Sequence, residues 1–191
     1  MHSIGDCDAA FEYQRSAQAR AGGEVALQSR STAAEPASDG GGRRCRFVQL
    51  PQRPAGGGYY TYGTPHGGAG QYGVPDTIGL IQEVANGWRG TPFGVGNISL
   101  ADGGRFDPHR SHRTGTDVDV RPLRSDGANT GADWRKAGYD RVATQRLIDA
   151  FLASGRVRNI WFNDPAVKGV LPYKGHNDHF HVNVRSACTR R

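Results

Sequence analysis

Five of the seven histidines fall in two short groups. One is Asp107-Pro108-His109-Arg110-Ser111-His112-Arg113-Thr114-Gly115-Thr116-Asp117-Val118-Asp119-Val120; the other is Gly175-His176-Asn177-Asp178-His179-Phe180-His181. Imidazole and carboxylate are the nitrogen and oxygen donors that suit zinc. Imidazole is also the side chain that moves protons near neutral pH. Both groups have the spacing of strands. In Asp117-Val118-Asp119-Val120 successive side chains face opposite ways, so the valines enter a core and both aspartates share the other face. His179-Phe180-His181-Val182 repeats the pattern, with Phe180 and Val182 inward and both histidines outward. Two such strands side by side would gather carboxylates and imidazoles in one pocket. A catalytic zinc takes three protein ligands and keeps one position open. The first group offers His112 and one aspartate, the second His181 or His179. Such a centre lowers the pKa of water to about 7 and polarises a carbonyl. The remaining histidine or Asp178 could accept the water's proton.

The string from His109 through Asp119, followed by His176-Asn177-Asp178-His179-Phe180-His181-Val182, resembles the signature of the penicillin-insensitive murein endopeptidases. These belong to a broader group of zinc peptidases that includes lysostaphin-type enzymes and D,D-carboxypeptidases. The group's pattern is a histidine, six residues, an aspartate and a later histidine, which His112, Asp119 and His181 match. The resemblance implies that these three bind Zn2+ and that His179 is the general base, a role Asp178 could exchange with it. It implies that His109 and His176 are further active-site histidines that orient ligands or substrate, and that Asp117 holds a ligand rather than the metal. The activity implied is hydrolysis of peptidoglycan cross-links, at the bond from D-alanyl to meso-diaminopimelate. The expected partner is then the cross-link peptide of the bacterial cell wall, with no nucleic acid. The likeness extends more weakly through Tyr59-Tyr60-Thr61-Tyr62-Gly63-Thr64-Pro65, a helix from Asp76, and the stretch from Gly96 to Gly104. It covers residues 47–185 and leaves the first 44 without a counterpart.

Three other readings compete. A D,D- or L,D-carboxypeptidase would trim stem peptides that are not cross-linked. A metal-dependent nuclease would suit the positive charge, but no strand–helix metal motif surrounds residues 176–181. A non-catalytic, zinc-stabilised wall-binding module is opposed by the open fourth zinc position.

The elements that must position these groups are legible from periodicity. Val74-Pro75-Asp76 is a helix start, and Ile78, Ile81, Val84, Ala85 and Trp88 follow at helical spacing until Gly87 and Gly90. A second helix is expected over residues 140–153, its apolar positions Val142, Leu147, Ile148, Phe151 and Leu152, with Gly155 past its end. Strands are expected at 46–50, 93–100, 157–162 and 180–184. The fold class is therefore α+β: a small antiparallel sheet carrying the zinc site, flanked by two main helices and long loops. Trp88 and Trp161 read as core, and His2 and His66 as surface-loop residues. Trp134 and Tyr139 lie in the loop after the first metal strand, where lining a cleft is the less favoured role. Asp126 and Asp133 read as solvated.

With 191 residues, 36% hydrophobic and 22% charged, the chain suffices for one domain plus a tail. Its 28 glycines and 10 prolines favour loops. The formal charge of +6 suits a polyanion, nucleic acid or anionic cell wall, and equally a solvated basic surface with no special partner. Residues 1–44, rich in alanine, serine and glycine, read as a low-complexity tail or linker, and 45–191 as the metallopeptidase domain. Cys45 and Cys188 flank that domain, and a bridge between them would tie its ends together, leaving Cys7 unpaired. No stretch is long and apolar enough to span a membrane, and the N-terminus does not read as a secretory signal. Action in the periplasm or outside the cell therefore leaves the export route and any delivery or immunity partner unassigned.

Overall fold

In the computed structural model the described residues are 43–54 and 56–189. Residues 1–42, with nearly all of the expected tail and with His2 and Cys7, lie outside them. The fold is α+β, as expected. Its main sheet has five strands: β3 (Tyr59–Thr61), β5 (Phe93–Val95), β6 (Asp117–Val120), β8 (Phe180–Val184) and β7 (Val157–Trp161), in that spatial order. The sheet is mixed rather than antiparallel throughout, because β3 and β5 run parallel. The β5, β6, β8 and β7 neighbours are antiparallel, so the expectation holds for the part that carries the histidines. Two small ladders complete the fold: β1 (Arg43–Arg44) parallel to β9 (Cys188–Thr189), and β2 (Val48–Gln49) antiparallel to β4 (Tyr72–Gly73).

Two helices cover the apolar face of this sheet. α1 (Pro75–Gly87) begins with proline at its first turn, where a missing N–H goes unnoticed. It buries Ile78, Leu80, Ile81 and Val84. α2 (Arg141–Ala153) is capped by Asp140, whose carboxylate accepts from the Ala143 N–H at 2.9 Å. It ends at Gly155, in the left-handed region at φ 69°, which a residue with a side chain rarely adopts. Its buried face is Ala143, Leu147, Ile148 and Phe151. Val142, expected on that face, is 71% exposed: it sits one position off the stripe.

The core joins these helices to Val118, Val120, Phe180 and Val182 of the sheet. Phe151 meets Phe180 and Phe93 edge-on, with centroids 6.1 and 5.8 Å apart. Burial of each such side chain stabilises by about 1.5–3 kcal/mol, so this face anchors the strands that hold the site. The two ends of the described domain are clasped as well. Cys45 and Cys188 form a disulfide with Cα atoms 5.3 Å apart across 143 residues of sequence.

The strand expected over 93–100 stops after Val95. Beyond it the backbone divides its bonds: Gly96 N–H donates to Asp119 O, Ile98 N–H to Gly70 O, and Asn97 O accepts from Asp119 N–H. No single neighbouring strand takes the whole segment. Among the described residues, no helix is long and apolar enough to cross a membrane.

Candidate metal centre

The register of β6 against β8 decides where the donors meet. Asp119 is paired directly with His181, Val118 with Val182, and Asp117 with Asn183. Directly opposed residues point to the same side of a sheet, so the aspartates and His181 share the face away from α2. His112 reaches the same point from the preceding loop. Its Nε2 lies 3.2 Å from Asp119 Oδ1, and His181 Nδ1 lies 3.2 Å from the same oxygen. His179 Nε2 and His109 Nδ1 stand farther back, 3.7 Å from Asp119 Oδ1 and Oδ2 respectively. His109, His112 and Asp119 offer donor atoms that all lie within 4.8 Å of one another, a group that can hold a metal ion.

The partners on the far side of each ring fix which nitrogen carries the proton. His112 Nδ1 faces the Ile98 carbonyl at 3.0 Å, so it donates there and turns a bare Nε2 to Asp119. His181 Nε2 donates to Asp117 Oδ1 at 3.0 Å, and Asn183 holds that same oxygen at 2.7 Å. His179 Nδ1 donates to Asp178 Oδ1 at 2.9 Å, leaving Nε2 as an acceptor aimed at the centre. His176 Nδ1 donates to the carbonyls of Tyr173 and Lys174, at 3.1 and 3.3 Å.

His109 is the exception. The Asn97 amide is oriented by the Thr64 N–H, which donates to its Oδ1 at 2.7 Å. Its Nδ2 must therefore donate to His109 Nε2, 2.8 Å away. A neutral His109 then carries its proton on Nδ1, the nitrogen facing Asp119.

Electrostatics follow from this arrangement. Asp119 is only 5% exposed, and burial alone would favour its neutral form. The facing rings of His112 and His181 outweigh burial and hold it far below the usual carboxylate range. Asp117 is lowered likewise, its burial opposed by His181 and Asn183. Burial works against a charged His181 too, but the bonds to Asp117 and Asp119 prevail and push the ring up to about 9. In the absence of another cation, a proton thus occupies the space between His181 and Asp119. His109 and His176 shift the other way: burial, then the neighbouring rings, lower both.

All six residues singled out in the sequence meet here. His112, Asp119 and His181 are buried, whereas the side chains of His109 and His179 are each a quarter exposed and so reachable from solvent. His176 is at the edge, its ring 4.8 Å from that of His179. His66 is exposed, as expected. Trp161 is not a core residue: its ring lies 4.8 Å from the His181 ring and 5.7 Å from Tyr173, forming one wall of the site. Alternation along β7 could have revealed this, since Ile160 faces the core and Trp161 must face away. Trp134 and Tyr139 pack against the core instead of lining a cleft. Asp126 and Asp133 are held by Arg124 and Arg135. Asn97 carried no sequence signal, because only the fold brings it to His109. No protein-family model matches the chain, and no curated protein matches it.

Proposed function

We propose that this chain is a zinc-dependent endopeptidase that cuts peptide cross-links of bacterial peptidoglycan, with His112, Asp119 and His181 as the zinc ligands. The observation that carries the reading is the pair of inward nitrogens, His112 Nε2 and His181 Nδ1, each 3.2 Å from Asp119 Oδ1 while their opposite nitrogens are tied to Ile98 and Asp117. Donors on one tetrahedral zinc stand about 3.3 Å apart, given bonds of about 2.0–2.1 Å. The 3.2 Å separations of His112 Nε2 and His181 Nδ1 from Asp119 Oδ1 are close to that spacing. His109 fits less well as the third nitrogen, because Asn97 occupies its Nε2 and leaves the proton on Nδ1.

When bound, zinc would supply Lewis acidity, polarising the scissile carbonyl and acidifying a water. The remaining work falls to the chain's own residues. His179 Nε2 accepts the proton of the attacking water, while Asp178 keeps the Nδ1 proton in place and steadies the ring as it becomes charged. The same nitrogen then passes the proton to the leaving amine. His109 Nδ1–H is a donor toward the oxygen that gains charge. Asp117 orients His181 and raises its basicity as a ligand.

Peptidoglycan as the substrate rests on the motif resemblance. It is supported by the charge of +6, which suits an anionic wall, and by the Cys45–Cys188 bridge, which suits an oxidising compartment outside the cytoplasm. The test is digestion of purified peptidoglycan by the zinc-loaded protein, followed by chromatography and mass spectrometry. Cross-linked dimers should fall to monomers with the intact protein and not with His181→Ala. Loss of only the terminal D-alanine from monomers would instead identify a carboxypeptidase. Dimers that survive while zinc is bound would refute the reading.

A further inference from the structure

A cleft of about 370 Å³ opens directly beside His179, lined by Tyr62, Arg121, Arg124, Lys136 and Asp178 among others. Most of its charges are already matched. Arg124 grips Asp126 with two bonds of 2.8 and 2.5 Å, Asp133 is held by Arg135 in the same way, and Asp178 is bonded to His179. Arg121 is different. Among the described residues its guanidinium meets no carboxylate or carbonyl; its contacts are the faces of two tyrosines, with the Tyr62 centroid 3.8 Å away and that of Tyr60 at 5.9 Å. Among the described residues Lys136, on the same cleft, has no carboxylate bonded to its ammonium, although its charge helps to lower Asp133.

Arg121 is held in place by the fold. It follows β6 and extends its ladder, donating from its backbone N–H to Gly94 O at 3.0 Å. It thereby continues the row Asp117, Asp119, Arg121 on one face, about 7 Å along the strand from Asp119 at the usual rise per residue. The floor beneath it depends on two glycines. A Cβ on Gly94 would lie 2.8 Å from the Tyr60 ring and 3.0 Å from Arg121 Cδ, and one on Gly96 would lie 2.6 Å from the Tyr62 ring. Without those Cβ atoms the rings can lie against the sheet, and Arg121 stacks on them. A stacked guanidinium keeps its N–H donors in its own plane, available as a fork for a carboxylate.

We propose that this cleft is a carboxylate-binding subsite: Arg121, with Lys136 beside it, takes a free carboxylate that the substrate carries next to the scissile amide. The inference rests on the hydrolase reading and narrows its substrates to peptides with an acid group adjoining the cleaved bond. That acid has two sources, the C-terminus of a stem peptide or the carboxylate of a residue whose side-chain amine makes the cross-link.

The experiment is calorimetric binding to the zinc-loaded full chain. The probes are N-acetyl-D-alanyl-D-alanine and its C-terminal amide, and a cross-linked muropeptide dimer with the diaminopimelate carboxylate beside the cross-link either free or amidated. The free acid of at least one pair should bind about tenfold or more tightly than its amide. Whichever pair discriminates names the source. Arg121→Gln should abolish the preference, and Arg121→Lys, which keeps the charge but loses the fork, should retain only part of it. Equal binding of acid and amide, no binding of any probe, or an undiminished preference in a folded Arg121→Gln protein would overturn the subsite. An Arg121-dependent preference without cross-link hydrolysis would sink the endopeptidase reading and leave the subsite standing. Hydrolysis without the preference would do the reverse.

Discussion

The β6–β8 pair has two faces built on opposite principles. On one, Val118, Val120, Phe180 and Val182 are sealed beneath the helices, and any apolar group of the right volume would serve. On the other, Asp117, Asp119 and His181 are buried too, yet each side chain has a designated partner. Burying polar groups costs stability unless each finds its bond. The contrast teaches that the apolar face holds the strands in register, and that the register in turn brings the donors together. Substitutions on the two faces should therefore fail differently.

The largest effect is expected on the polar face. His179→Ala should lower kcat by about 10²–10⁴-fold while zinc content and melting temperature stay near those of the parent. A protein that loses its zinc with this change would show that His179 is a ligand. On the apolar face, Phe180→Ala should destabilise by about 4 kcal/mol in denaturant titration, with the surviving folded fraction as active per molecule as the parent. An equal loss of specific activity would mean that the two faces are not separable.

These outcomes bear on what the sequence discloses. Alternation alone separated the faces at residues 117–120 and 180–182, because a strand has only two sides. Helical spacing with Pro75 and Asp140 located both helices, because those signals are local. Non-local facts were not legible. The parallel pairing of β3 with β5, the turning of Asn97 by Thr64, and the tyrosine floor under Arg121 each depend on segments tens of residues apart. Val142 was misplaced because apolar character does not distinguish a stripe from the position beside it. Trp161 was misplaced because tryptophan is most often core.

A smaller effect separates the metal-free from the metal-loaded state. Without metal, His181 is raised from 6.5 to about 9. A group raised on folding contributes stability that is fully present below its unfolded value and lost as pH climbs through the folded one. The metal-free protein should therefore lose on the order of 3 kcal/mol between about pH 6.5 and pH 9.5. The zinc-loaded protein should not, since Nδ1 then faces the ion instead of carrying a proton. Melting curves of both forms across that range provide the check, and parallel curves would contradict the assigned role of His181.

Smallest of all, Asn97→Asp should reduce kcat about tenfold with zinc affinity little changed, because an acceptor at this position draws the His109 proton to Nε2, away from the centre. Nitrogen chemical shifts of the His109 ring would report the exchange of tautomer directly. An unchanged tautomer would remove the argument that His109 is a donor rather than a ligand.

The most direct test of the centre itself is zinc titration of the parent protein, His181→Ala and His109→Ala, with stoichiometry and affinity read by calorimetry. One tightly bound ion per chain is expected in the parent and in His109→Ala, and loss of tight binding in His181→Ala. Tight binding that survives in His181→Ala but disappears in His109→Ala would contradict it, and would move the third ligand from β8 to the loop before β6.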